Sequence, residues 1–407
     1  MSPLPARTRL AAGLGAAVSG VSRLLGTGGG SVIGGRAILA VDPGALGRLA
    51  AGRAVALVSG TNGKTTTTTL LAAALRTRGA VVTNAQGANL PPGLVAALAP
   101  GPERAAAALE VDEAWLARVV EATSPAAVAL LNLSRDQLDR NNEVRSVAGR
   151  WRAALAGASA TVVANADDPL VAWGAGAAGR VRWVGAGQPW TDDAGSCPSC
   201  GGRIVFDPAT GWACGGCDLR RPDLDVGLEG DDVVWATGRR IRLELRLPGR
   251  ANRANAAMAV AAAEVMGVDP DAAVRAFSSV AEVAGRYAAV RAGGCEARLL
   301  LAKNPAGWLE VFDFLRPPPV PLVVAINARV ADGRDPSWLW DVPFERLTGR
   351  FVVATGERGR DLAVRLRYAE VEHVHEPDPV AAISVAGAAE VDVVANYTAF
   401  QDLRSRL

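Results

Sequence analysis

Short apolar runs separated by longer mixed stretches dominate this 407-residue sequence. The first set of runs lies at residues 54–58, 105–111, 127–133 and 160–164. Continuous apolar runs of this length are typical of strands that are buried on both faces, and the stretches between them are long enough for crossover helices. The alternation predicts an α/β domain with a parallel sheet, whose ligands gather at the carboxyl ends of the strands.

A second set of apolar runs predicts another, Rossmann-like α/β domain near the C-terminus. Between the two sets, Ile241–Leu247 alternates with period two and predicts a half-exposed strand. An Ala-rich helix to Met266 follows, and Asn252 is a candidate for its cap. The later strands are predicted at residues 297–302, 320–326, 350–355 and 390–395. The predicted organisation is a helical segment, a first α/β domain and a second α/β domain, at residues 1–50, 51–284 and 285–407.

A glycine-rich loop follows the first run, and an apolar stretch that predicts a helix extends from the loop to Leu75. A loop between strand and helix presents backbone N–H groups and a helix N-terminus to a phosphate. Lys64 would supply a point charge to the β- and γ-phosphates of ATP, and the Thr65 hydroxyl would bind Mg²⁺. A turn with a solvated lysine is the alternative. The candidate nucleotide-binding residues of the loop are Gly60, Thr61, Asn62, Gly63, Lys64, Thr65 and Thr66.

Composition supports a special role for this lysine. Only two of the 43 basic residues are lysines, Lys64 and Lys303. Arginine and lysine are not interchangeable at a phosphate cradle, so Lys303 is a second candidate for nucleotide binding. The net charge of +2 gives no reason to expect a nucleic-acid partner.

The first 30 residues have some features of a secretion signal, because Arg7 and Arg9 precede an apolar stretch. Arg23 interrupts that stretch and a Gly-rich segment follows it. ATP chemistry belongs in the cytosol, so a helix packed on the protein surface is the favoured interpretation. No run of 18 apolar residues occurs elsewhere, which predicts that no helix crosses a membrane.

Acidic and amide side chains follow several predicted strands, notably at residues 110–113 and 165–168. Each acid alone could be a helix cap. Together, beside a phosphate loop, they favour a Mg²⁺–nucleotide site, because Mg²⁺ binds few carboxylates along with phosphate oxygens and water. Glu110 is the first candidate ligand, and Asp136 and Asp139 follow it.

Four of the five cysteines form two Cys-x-x-Cys pairs, with glycines after each pair. Four thiolates at this spacing predict a tetrahedral Zn²⁺ site in a zinc ribbon inserted at residues 190–222. A closed site of this kind has no position for a substrate, so its role is structural; unligated thiols and an iron–sulfur centre are the alternatives. The predicted ligands are Cys197, Cys200, Cys214 and Cys217, which leaves Cys295 free.

These motifs together resemble the Mur ligases and the folylpolyglutamate synthases. The stretches that carry the resemblance are Gly60–Thr66, Asn132-Leu-Ser-Arg-Asp136-Gln137-Leu-Asp139-Arg140, Asn165-Ala-Asp-Asp-Pro and Asn252-x-x-Asn255-Ala-Ala. Residues 301–307 and 331–341, with the cysteine insertion, narrow it to the MurT ligase subunits of lipid II isoglutaminyl synthases. The resemblance covers nearly the whole chain and implies a Mur-ligase-like central ATP-binding domain.

The sequence departs from the wider family at several positions. Gln137 stands where the family pattern has histidine, and Leu300 stands where an acid is frequent. With only two lysines, no candidate exists for the carbamylated lysine of many Mur ligases. Only about 50 residues precede the loop, fewer than a UDP-sugar-binding domain needs, which suits a substrate held in another way, such as a lipid-linked muropeptide.

The resemblance implies an ATP- and Mg²⁺-dependent carbon–nitrogen ligase that acts at the inner face of the membrane. ATP would phosphorylate the α-carboxylate of D-glutamate in the lipid II stem peptide, and ammonia would displace phosphate to give D-isoglutamine. Beyond the loop, the residues that it assigns to nucleotide binding or catalysis are Glu110, Asn252, Asn255, Arg286 and Lys303.

Ammonia would come from a partner, because Cys295 has no adjacent histidine with which to form a glutaminase pair. His373 and His375 alternate on a predicted strand and are interpreted as surface or core residues. The resemblance supplies a separate glutaminase subunit, GatD. Two other interpretations stay open: a folylpolyglutamate-synthase-like amino-acid ligase, and a non-catalytic regulatory protein that binds ATP and zinc.

The acidic turn after the predicted strand at 320–326 is the candidate contribution to that glutaminase. MurT-like subunits are thought to lend an acid that orients the catalytic histidine of the partner, and Asp332 is the first choice and Asp335 the second. Gly333 permits a sharp turn that would present both carboxylates outward. Trp338 and Trp340 are candidates either for anchors of the interface or for core residues.

Overall fold

The computed structural model describes residues 4–24, 31–84, 88–102, 104–135, 144–247, 249–280, 287–292 and 294–407. The strands in this part of the chain are β1 (Val55–Ser59), β2 (Val81–Thr83), β3 (Ala106–Glu110), β4 (Ala127–Leu130), β5 (Thr161–Asn165), β6 (Val181–Gly185), β7 (Ile204–Asp207), β8 (Gly211–Cys214), β9 (Val226–Glu229), β10 (Asp232–Trp235), β11 (Arg240–Arg242), β12 (Tyr287–Ala292), β13 (Cys295–Leu301), β14 (Leu322–Ala325), β15 (Val352–Thr355), β16 (His373–His375) and β17 (Glu390–Ala395).

The helices in the same part of the chain are α1 (Ala6–Leu24), α2 (Ser31–Val41), α3 (Ala45–Ala50), α4 (Lys64–Arg76), α5 (Pro91–Leu98), α6 (Leu116–Thr123), α7 (Val144–Ala156), α8 (Pro169–Ala175), α9 (Arg250–Val265), α10 (Pro270–Phe277), α11 (Pro305–Phe312), α12 (Gly359–Tyr368), α13 (Pro379–Val385) and α14 (Tyr397–Arg406). Among them, none is long and apolar enough to cross a membrane.

The chain divides into two compact units. Unit 1 comprises residues 1–133, 144–247 and 251–281, and unit 2 comprises residues 134–143, 248–250 and 282–407. The predicted boundary at residue 284 falls among residues 281–286, which lie outside the described part of the chain.

Unit 1 contains a nine-stranded sheet in the order β11-β10-β9-β6-β5-β4-β1-β3-β2. The seven strands from β2 to β9 in this order are parallel, and near the other edge β10 is antiparallel to both of its neighbours, β9 and β11. β1 lies between β3 and β4, and all five of its residues are buried. This position explains its unbroken apolar run, since a central strand of a parallel sheet has no solvent face.

Two sequence predictions near residue 245 were wrong. The predicted strand at 241–247 ends at Arg242, because its only partner, β10, begins at Asp232, which is the residue paired with Arg242. Leu243 and Leu247 are buried nevertheless, and the N–H of Leu243 still donates to the carbonyl of Asp231 at 2.7 Å, so the alternating pattern reflects burial that continues past the end of the strand. Asn252 does not cap the following helix, because α9 already begins at Arg250.

Three helices precede β1. α1 packs against α2 at small residues, and a Cβ on Gly34 would lie 2.6 Å from the carbonyl oxygen of Gly15. The Thr8 hydroxyl donates to the fully buried carboxylate of Asp42 at 2.7 Å, and Arg48 pairs with the same carboxylate. Close packing of α1 on α2 and the contacts of the buried Asp42 therefore hold the N-terminal helices together.

Between β6 and β9 the chain forms a separate small module. β7 and β8 pair as an antiparallel two-stranded sheet, apart from the large sheet of unit 1. Trp212 is buried in this module, and its Nε1–H donates to the carbonyl of Ala166 at 2.9 Å, which ties the module to the end of β5.

Unit 2 contains a six-stranded sheet in the order β12-β13-β17-β14-β15-β16. Its strands are parallel except for β12, which is antiparallel to β13. Helices pack on this sheet, and the fully buried rings of Trp308 and Phe344 meet edge to face at 4.9 Å in the core. Of the residues singled out from the sequence, Lys303 follows β13, and Asp332 and Asp335 follow β14.

Candidate active site and metal centre

The loop between β1 and α4 is a tight turn with two glycines at positive φ. Gly60 has φ +143° and Gly63 has φ +82°, both in the region that favours glycine. Gly63 directly precedes α4, and no side chain caps the start of this helix. The first N–H groups of a helix have no acceptor within the helix, so this N-terminus is suited to hold an anion.

Asn132, just after β4, fixes the shape of this loop. Its carbonyl accepts from the N–H of Thr61 at 2.9 Å, and its side-chain oxygen accepts from the N–H of Asn62 at 2.9 Å. Its side-chain amide donates back to the carbonyl of Asn62 at 3.1 Å. A neighbouring strand therefore holds the loop in place, which prepares its geometry before a phosphate arrives.

Lys64 is not a solvated lysine. Only 5% of the residue is exposed, and its Nζ donates to the carbonyls of Gly60 and Thr61 at 2.6 and 3.1 Å. The same Nζ forms an ion pair at 3.1 Å with the buried carboxylate of Glu113. Trp151 holds the backbone of Glu113 through a 2.8 Å hydrogen bond from its Nε1–H. These contacts hold the Lys64 ammonium group against the loop.

Glu110 lies at the carboxyl end of β3, in register with Val58 of β1, and is buried. Asn84 fixes its backbone by accepting from its N–H and donating to its carbonyl, each at 2.8 Å. Asn89 donates to Oε1 of Glu110 at 3.2 Å. A buried carboxylate with one described neutral donor retains acceptor sites for a cation, so its surroundings are compatible with a Mg²⁺ ligand.

Two further predicted nucleotide-site residues lie on α9. Asn255 contacts the loop: its Oδ1 accepts from the Thr67 hydroxyl at 3.3 Å, and a Cβ on Gly63 would lie 2.3 Å from this oxygen. Asn252 lies one turn earlier on the same helix and is half-buried. Three other predicted residues, Asp136, Asp139 and Arg286, lie outside the described part of the chain.

Asp168, which follows β5, has a structural role. Asp168 is fully buried and caps α8 by accepting from the N–H groups of Leu170 and Val171. Its other oxygen accepts from the N–H of Leu133 at 2.8 Å. Burial raises the pKa of Asp168 to about 6, against the effect of these N–H donors. For this acid the helix-cap alternative considered from the sequence is the observed role.

The four paired cysteines converge in the small module. Their Sγ atoms all lie within 4.8 Å of one another, the only such cluster of histidine, cysteine or acidic ligands among the described residues. The Sγ atoms of Cys197 and Cys217 are 3.7 Å apart, and those of Cys200 and Cys214 are 3.5 Å apart. Four thiols at these separations fit the tetrahedral coordination of Zn²⁺. Cys295 lies elsewhere, buried in β13 of unit 2.

Backbone donors prepare the sulfur atoms for a cation. The N–H of Gly202 points to Sγ of Cys200 at 3.4 Å, and the N–H of Gly216 points to Sγ of Cys214 at 3.3 Å. The Gly216 bond is the main reason why the pKa of Cys214 is lowered to about 7. For Cys217, the N–H of Leu219 acts in the same direction, but burial and the neighbouring cysteines raise its pKa to about 12. A bound Zn²⁺ would remove this conflict, because it deprotonates its thiol ligands.

We expect the purified chain to contain one Zn²⁺, bound by the four paired cysteines. Removing it with a strong chelator should lower the midpoint of thermal unfolding by about 5 °C or more, because metal binding contributes to folding. Catalysis at low temperature should fall much less, because four thiolates leave no open coordination position. Elemental analysis and calorimetry measure both quantities.

Cys295→Ala is the matched control for this prediction, since it removes a buried thiol in unit 2 and should leave the metal content unchanged. Cys200→Ala should release the metal. Freshly purified protein with no zinc, or zinc retained by Cys200→Ala, would refute the assignment.

In unit 2, Asp332 lies in the loop after β14 but points inward. It is 6% exposed, and its carboxylate accepts from the N–H of Thr398 at 2.8 Å, from the Thr398 hydroxyl, and from the N–H of Arg329 at 3.2 Å. The expectation that the turn presents both carboxylates outward was therefore wrong for Asp332. The bonds to Thr398 explain this burial, since they stabilise the start of α14.

Asp335 and the two tryptophans that follow it differ in exposure. Asp335 is exposed, and its Oδ1 accepts from the N–H of Ser337 at 2.8 Å in a local turn. Trp338 is half-buried and packs against the core of unit 2. Trp340 is 53% exposed, and its ring meets the exposed ring of Tyr368 edge to face at 5.4 Å. Of the two candidates for an interface anchor, only Trp340 presents its ring to solvent.

Asparagines connect the carboxyl ends of neighbouring strands in unit 2. Asn396 accepts from the N–H of Asn327 at 3.0 Å and donates to its carbonyl at 2.7 Å, and Asn327 accepts from the N–H of Glu357 at 3.1 Å. Lys303 follows β13 and is half-buried, next to Asn304, which caps α11 by accepting from the N–H of Gly307. His373 and His375 lie on the short edge strand β16, as predicted.

Comparisons with known protein families match two parts of the chain. Residues 58–195 match the Mur ligase middle domain, and residues 301–400 match the MurT ligase C-terminal domain. The first range includes the glycine-rich loop and Glu110, and the second includes Lys303, Asp332 and Asp335. The cysteine cluster lies between the two ranges.

Individual proteins resemble the chain over most of its length. The MurT subunit of the lipid II isoglutaminyl synthase (glutamine-hydrolyzing) from Streptococcus pneumoniae is 32% identical, over 83% of this chain and 82% of that subunit. The corresponding subunit from Staphylococcus aureus is 28% identical over 78% of each chain. Among solved structures, a pseudomurein peptide ligase type C from Methanothermus fervidus shares the fold, with a TM-score of 0.66, 18% identity and coverage of 87% of this chain and 78% of that one.

Proposed function

The chain belongs to the MurT family of Mur-ligase-type subunits, and from this premise we propose that it amidates lipid II. It is an ATP-dependent carbon–nitrogen ligase, and its substrate is the α-carboxylate of D-glutamate in the lipid-linked stem peptide. The product is D-isoglutamine. The observation that carries the proposal is the loop between β1 and α4. There, the N-terminus of a helix without a side-chain cap lies next to the buried side chain of Lys64.

The reaction proceeds in two balanced steps. A carboxylate oxygen of the substrate attacks the γ-phosphorus of ATP, the bond between that phosphorus and the β,γ-bridging oxygen breaks, and ADP leaves. The nitrogen of ammonia then attacks the acyl carbon of the resulting acyl phosphate. Phosphate leaves with the bonding electron pair, and the nitrogen loses a proton to give the amide. Little covalent work falls to the protein, which positions the reactants and neutralises charge.

Residues of the loop supply this positioning. The backbone N–H groups at the start of α4 and the Lys64 ammonium would hold the phosphates, and the hydrogen bonds of Asn132 to Thr61 and Asn62 restrict the conformation of the loop. Glu113 orients Lys64 through their ion pair and restricts the movement of the lysine side chain. Thr65 and Glu110 would hold Mg²⁺, which neutralises phosphate charge when bound. Asn255, which contacts Gly63 and Thr67, keeps α9 against the loop.

Ammonia comes from a separate glutaminase subunit, GatD in the family that the chain belongs to. The MurT relatives are named as subunits of a glutamine-hydrolyzing enzyme. The two histidines of the chain lie on β16, and β15, β14 and β17 separate this strand from β13, which carries Cys295. This separation supports an external source of ammonia. We propose that Asp332 completes the glutaminase site across the interface, with Asp335 as second choice and exposed Trp340 as an apolar anchor.

The function is tested by incubating the purified chain with ATP, Mg²⁺ and lipid II, once with ammonium salt and once with glutamine and the co-expressed glutaminase. We expect one ADP and one phosphate per amide formed in both cases. An amino acid joined to the product without any partner would indicate a folylpolyglutamate-synthase-like ligase. ATP binding without turnover would indicate a regulatory protein.

Glu110→Gln tests the Mg²⁺ assignment. It keeps the shape of the side chain and the two hydrogen bonds between Asn84 and the backbone of residue 110, but it removes the negative charge. We expect ATP turnover to fall by about tenfold or more and to need higher Mg²⁺, because a carboxylate ligand to the ion is lost. Steady-state ADP release across a Mg²⁺ titration measures both effects. Asp112→Asn is the matched control, since its carboxylate accepts from the N–H of Ala114 in a local turn. Unchanged turnover and Mg²⁺ dependence would make Glu110 a structural residue.

A further inference from the structure

Helix α1 presents a stripe of large aliphatic side chains to solvent. We define the α1 stripe as Leu10, Leu14, Val21 and Leu24, whose exposed fractions are 73%, 48%, 55% and 88%. At 3.6 residues per turn these positions fall within about 80° of one another around the helix axis. Exposed aliphatic residues are ordinary when scattered, but four in one line on one helix form a continuous apolar surface.

The stripe is not the face by which α1 packs on the protein. Among the residues of α1 whose burial the structure describes, the buried ones lie on the side that faces away from the stripe: Thr8, Ala11, Gly15 and Ser22. Gly15 permits the close approach of α2, since a Cβ there would lie 2.4 Å from Cγ1 of Ile38. The N-terminal fold is therefore complete without the stripe, which leaves its aliphatic surface for another partner.

The charge of this region is uniformly positive. Residues 1–41 contain four arginines and no acidic residue or lysine. Arg9 on α1 and Arg36 on α2 are exposed, as are Val32 and Ile33 at the start of α2. The first acid of the chain, Asp42, is fully buried and already paired with Arg48. Apolar side chains and arginines are thus the exposed chemistry of the first two helices, without a compensating surface carboxylate.

We propose that α1 and the start of α2 dock on the surface of an anionic phospholipid bilayer, with α1 lying in the plane of the interface. A helix that combines an aliphatic stripe with arginines and no acids has the composition of an interfacial helix. The arginines complement anionic headgroups, and the stripe enters the boundary of the acyl chains. A protein partner would more often be met by tryptophan or tyrosine anchors, which the stripe lacks.

The inference deepens the proposed function, on which its biological meaning rests. A lipid-linked substrate cannot diffuse freely to an enzyme in solution, so an enzyme held at the bilayer meets it by diffusion in two dimensions. The glycine-rich loop between β1 and α4 belongs to the same compact unit as α1. Membrane docking by α1 would therefore bring unit 1 to the surface in which its substrate resides.

The test is flotation of the full chain with vesicles of phosphatidylcholine, made with and without phosphatidylglycerol. We expect binding to the anionic vesicles, weakened by high salt because screening reduces headgroup attraction. The stripe variant Leu10→Gln/Leu14→Gln should reduce the partition coefficient by at least about tenfold, because it removes two leucines that would enter the acyl-chain boundary on docking. The charge variant Arg9→Gln/Arg36→Gln should reduce binding to anionic vesicles only.

Val205→Gln/Val330→Gln is the matched control, since these valines are 54% and 59% exposed elsewhere in the chain. It should float like the unmodified chain. Absence of binding to anionic vesicles, or equal binding by the stripe variant, overturns the proposal. A stripe variant that instead changes the oligomeric state of the chain assigns the surface to a protein contact and also overturns it.

The two proposals fail separately. Lys64→Gln should abolish amidation and still float, because Lys64 lies in the loop after β1 and not on α1. If the chain does not bind vesicles but amidates a detergent-solubilised substrate, only the membrane inference is lost. If it binds vesicles but forms no amide, the amidation proposal fails and the docking surface stands.

Discussion

Replacing Lys64 by alanine is expected to lower ATP-dependent amide formation by at least about a hundredfold in kcat, because the point charge on the transferred phosphate is lost. Lys64→Arg should be impaired to a similar degree, since the planar guanidinium cannot enter the space under the loop in which a compact ammonium lies. The measurement is the initial rate of amide formation with saturating ammonium and lipid II. Near-normal activity of Lys64→Ala would remove the loop from the mechanism.

Stability has to be separated from catalysis in this experiment. Lys64 and Glu113 form a buried pair, with side chains that are each 6% exposed. Removal of one partner leaves an uncompensated buried charge and costs about 3–5 kcal/mol of folding free energy. The double variant Lys64→Ala/Glu113→Ala removes both charges, so it should recover much of that stability and yet remain inactive. Activity that returns together with stability would show that Lys64 acts only through the fold.

Asp332→Asn is expected to reduce glutamine-driven amidation by the complex about a hundredfold or more, because a neutral amide cannot stabilise the charged histidine of the glutaminase. Amidation driven by ammonium salt should fall much less. A carboxylate offers about four acceptor positions, and the described donors, Thr398 and Arg329, fill three. One position therefore remains for a donor from the partner.

Thr398→Val separates the two roles of this acid, since it removes the hydroxyl donor and leaves the carboxylate in place. If Asp332 serves the glutaminase, Thr398→Val should retain most glutamine-driven activity. Equal loss in Asp332→Asn and Thr398→Val would show that the acid only holds the start of α14. Equal loss of the glutamine- and ammonium-driven rates in Asp332→Asn would place it in the ligase reaction. A drop in Asp335→Asn alone would favour the exposed second candidate.

Local sequence was sufficient for the strand–loop–helix unit of the candidate site. An apolar run, two glycines and an apolar helix are each recognisable within a few residues, and the structure places β1, the loop and α4 at the predicted positions. The four cysteines were predictable for the same reason, since short Cys-x-x-Cys spacings fix pairs of ligands before any tertiary structure is known. Their convergence then follows from the pairing of β7 with β8.

Contacts between distant segments were not predictable in the same way. Local sequence does not decide which acid in residues 110–113 faces Lys64, because that depends on the path of the turn after β3. The acid in contact is Glu113. Similarly, Asp332 looks like part of an exposed turn in sequence, yet it is buried by Thr398, 66 residues away. The alternating pattern at 241–247 failed because a strand needs a partner, and β10 begins at Asp232, the residue that pairs with Arg242, so no part of β10 lies opposite the residues after Arg242.

The module that carries the cysteines has a consequence for the order in which the protein folds. β6 and β9 are parallel neighbours, but roughly forty residues separate them along the chain. Before they can pair, the closure entropy of this long connection has to be overcome. A metal ion that joins Cys197 to Cys217 would shorten the free connection by about half, which lowers this cost by about 0.6 kcal/mol. A chain with zinc bound would therefore bring β9 to the edge of β6 roughly two to three times more readily than a chain without it.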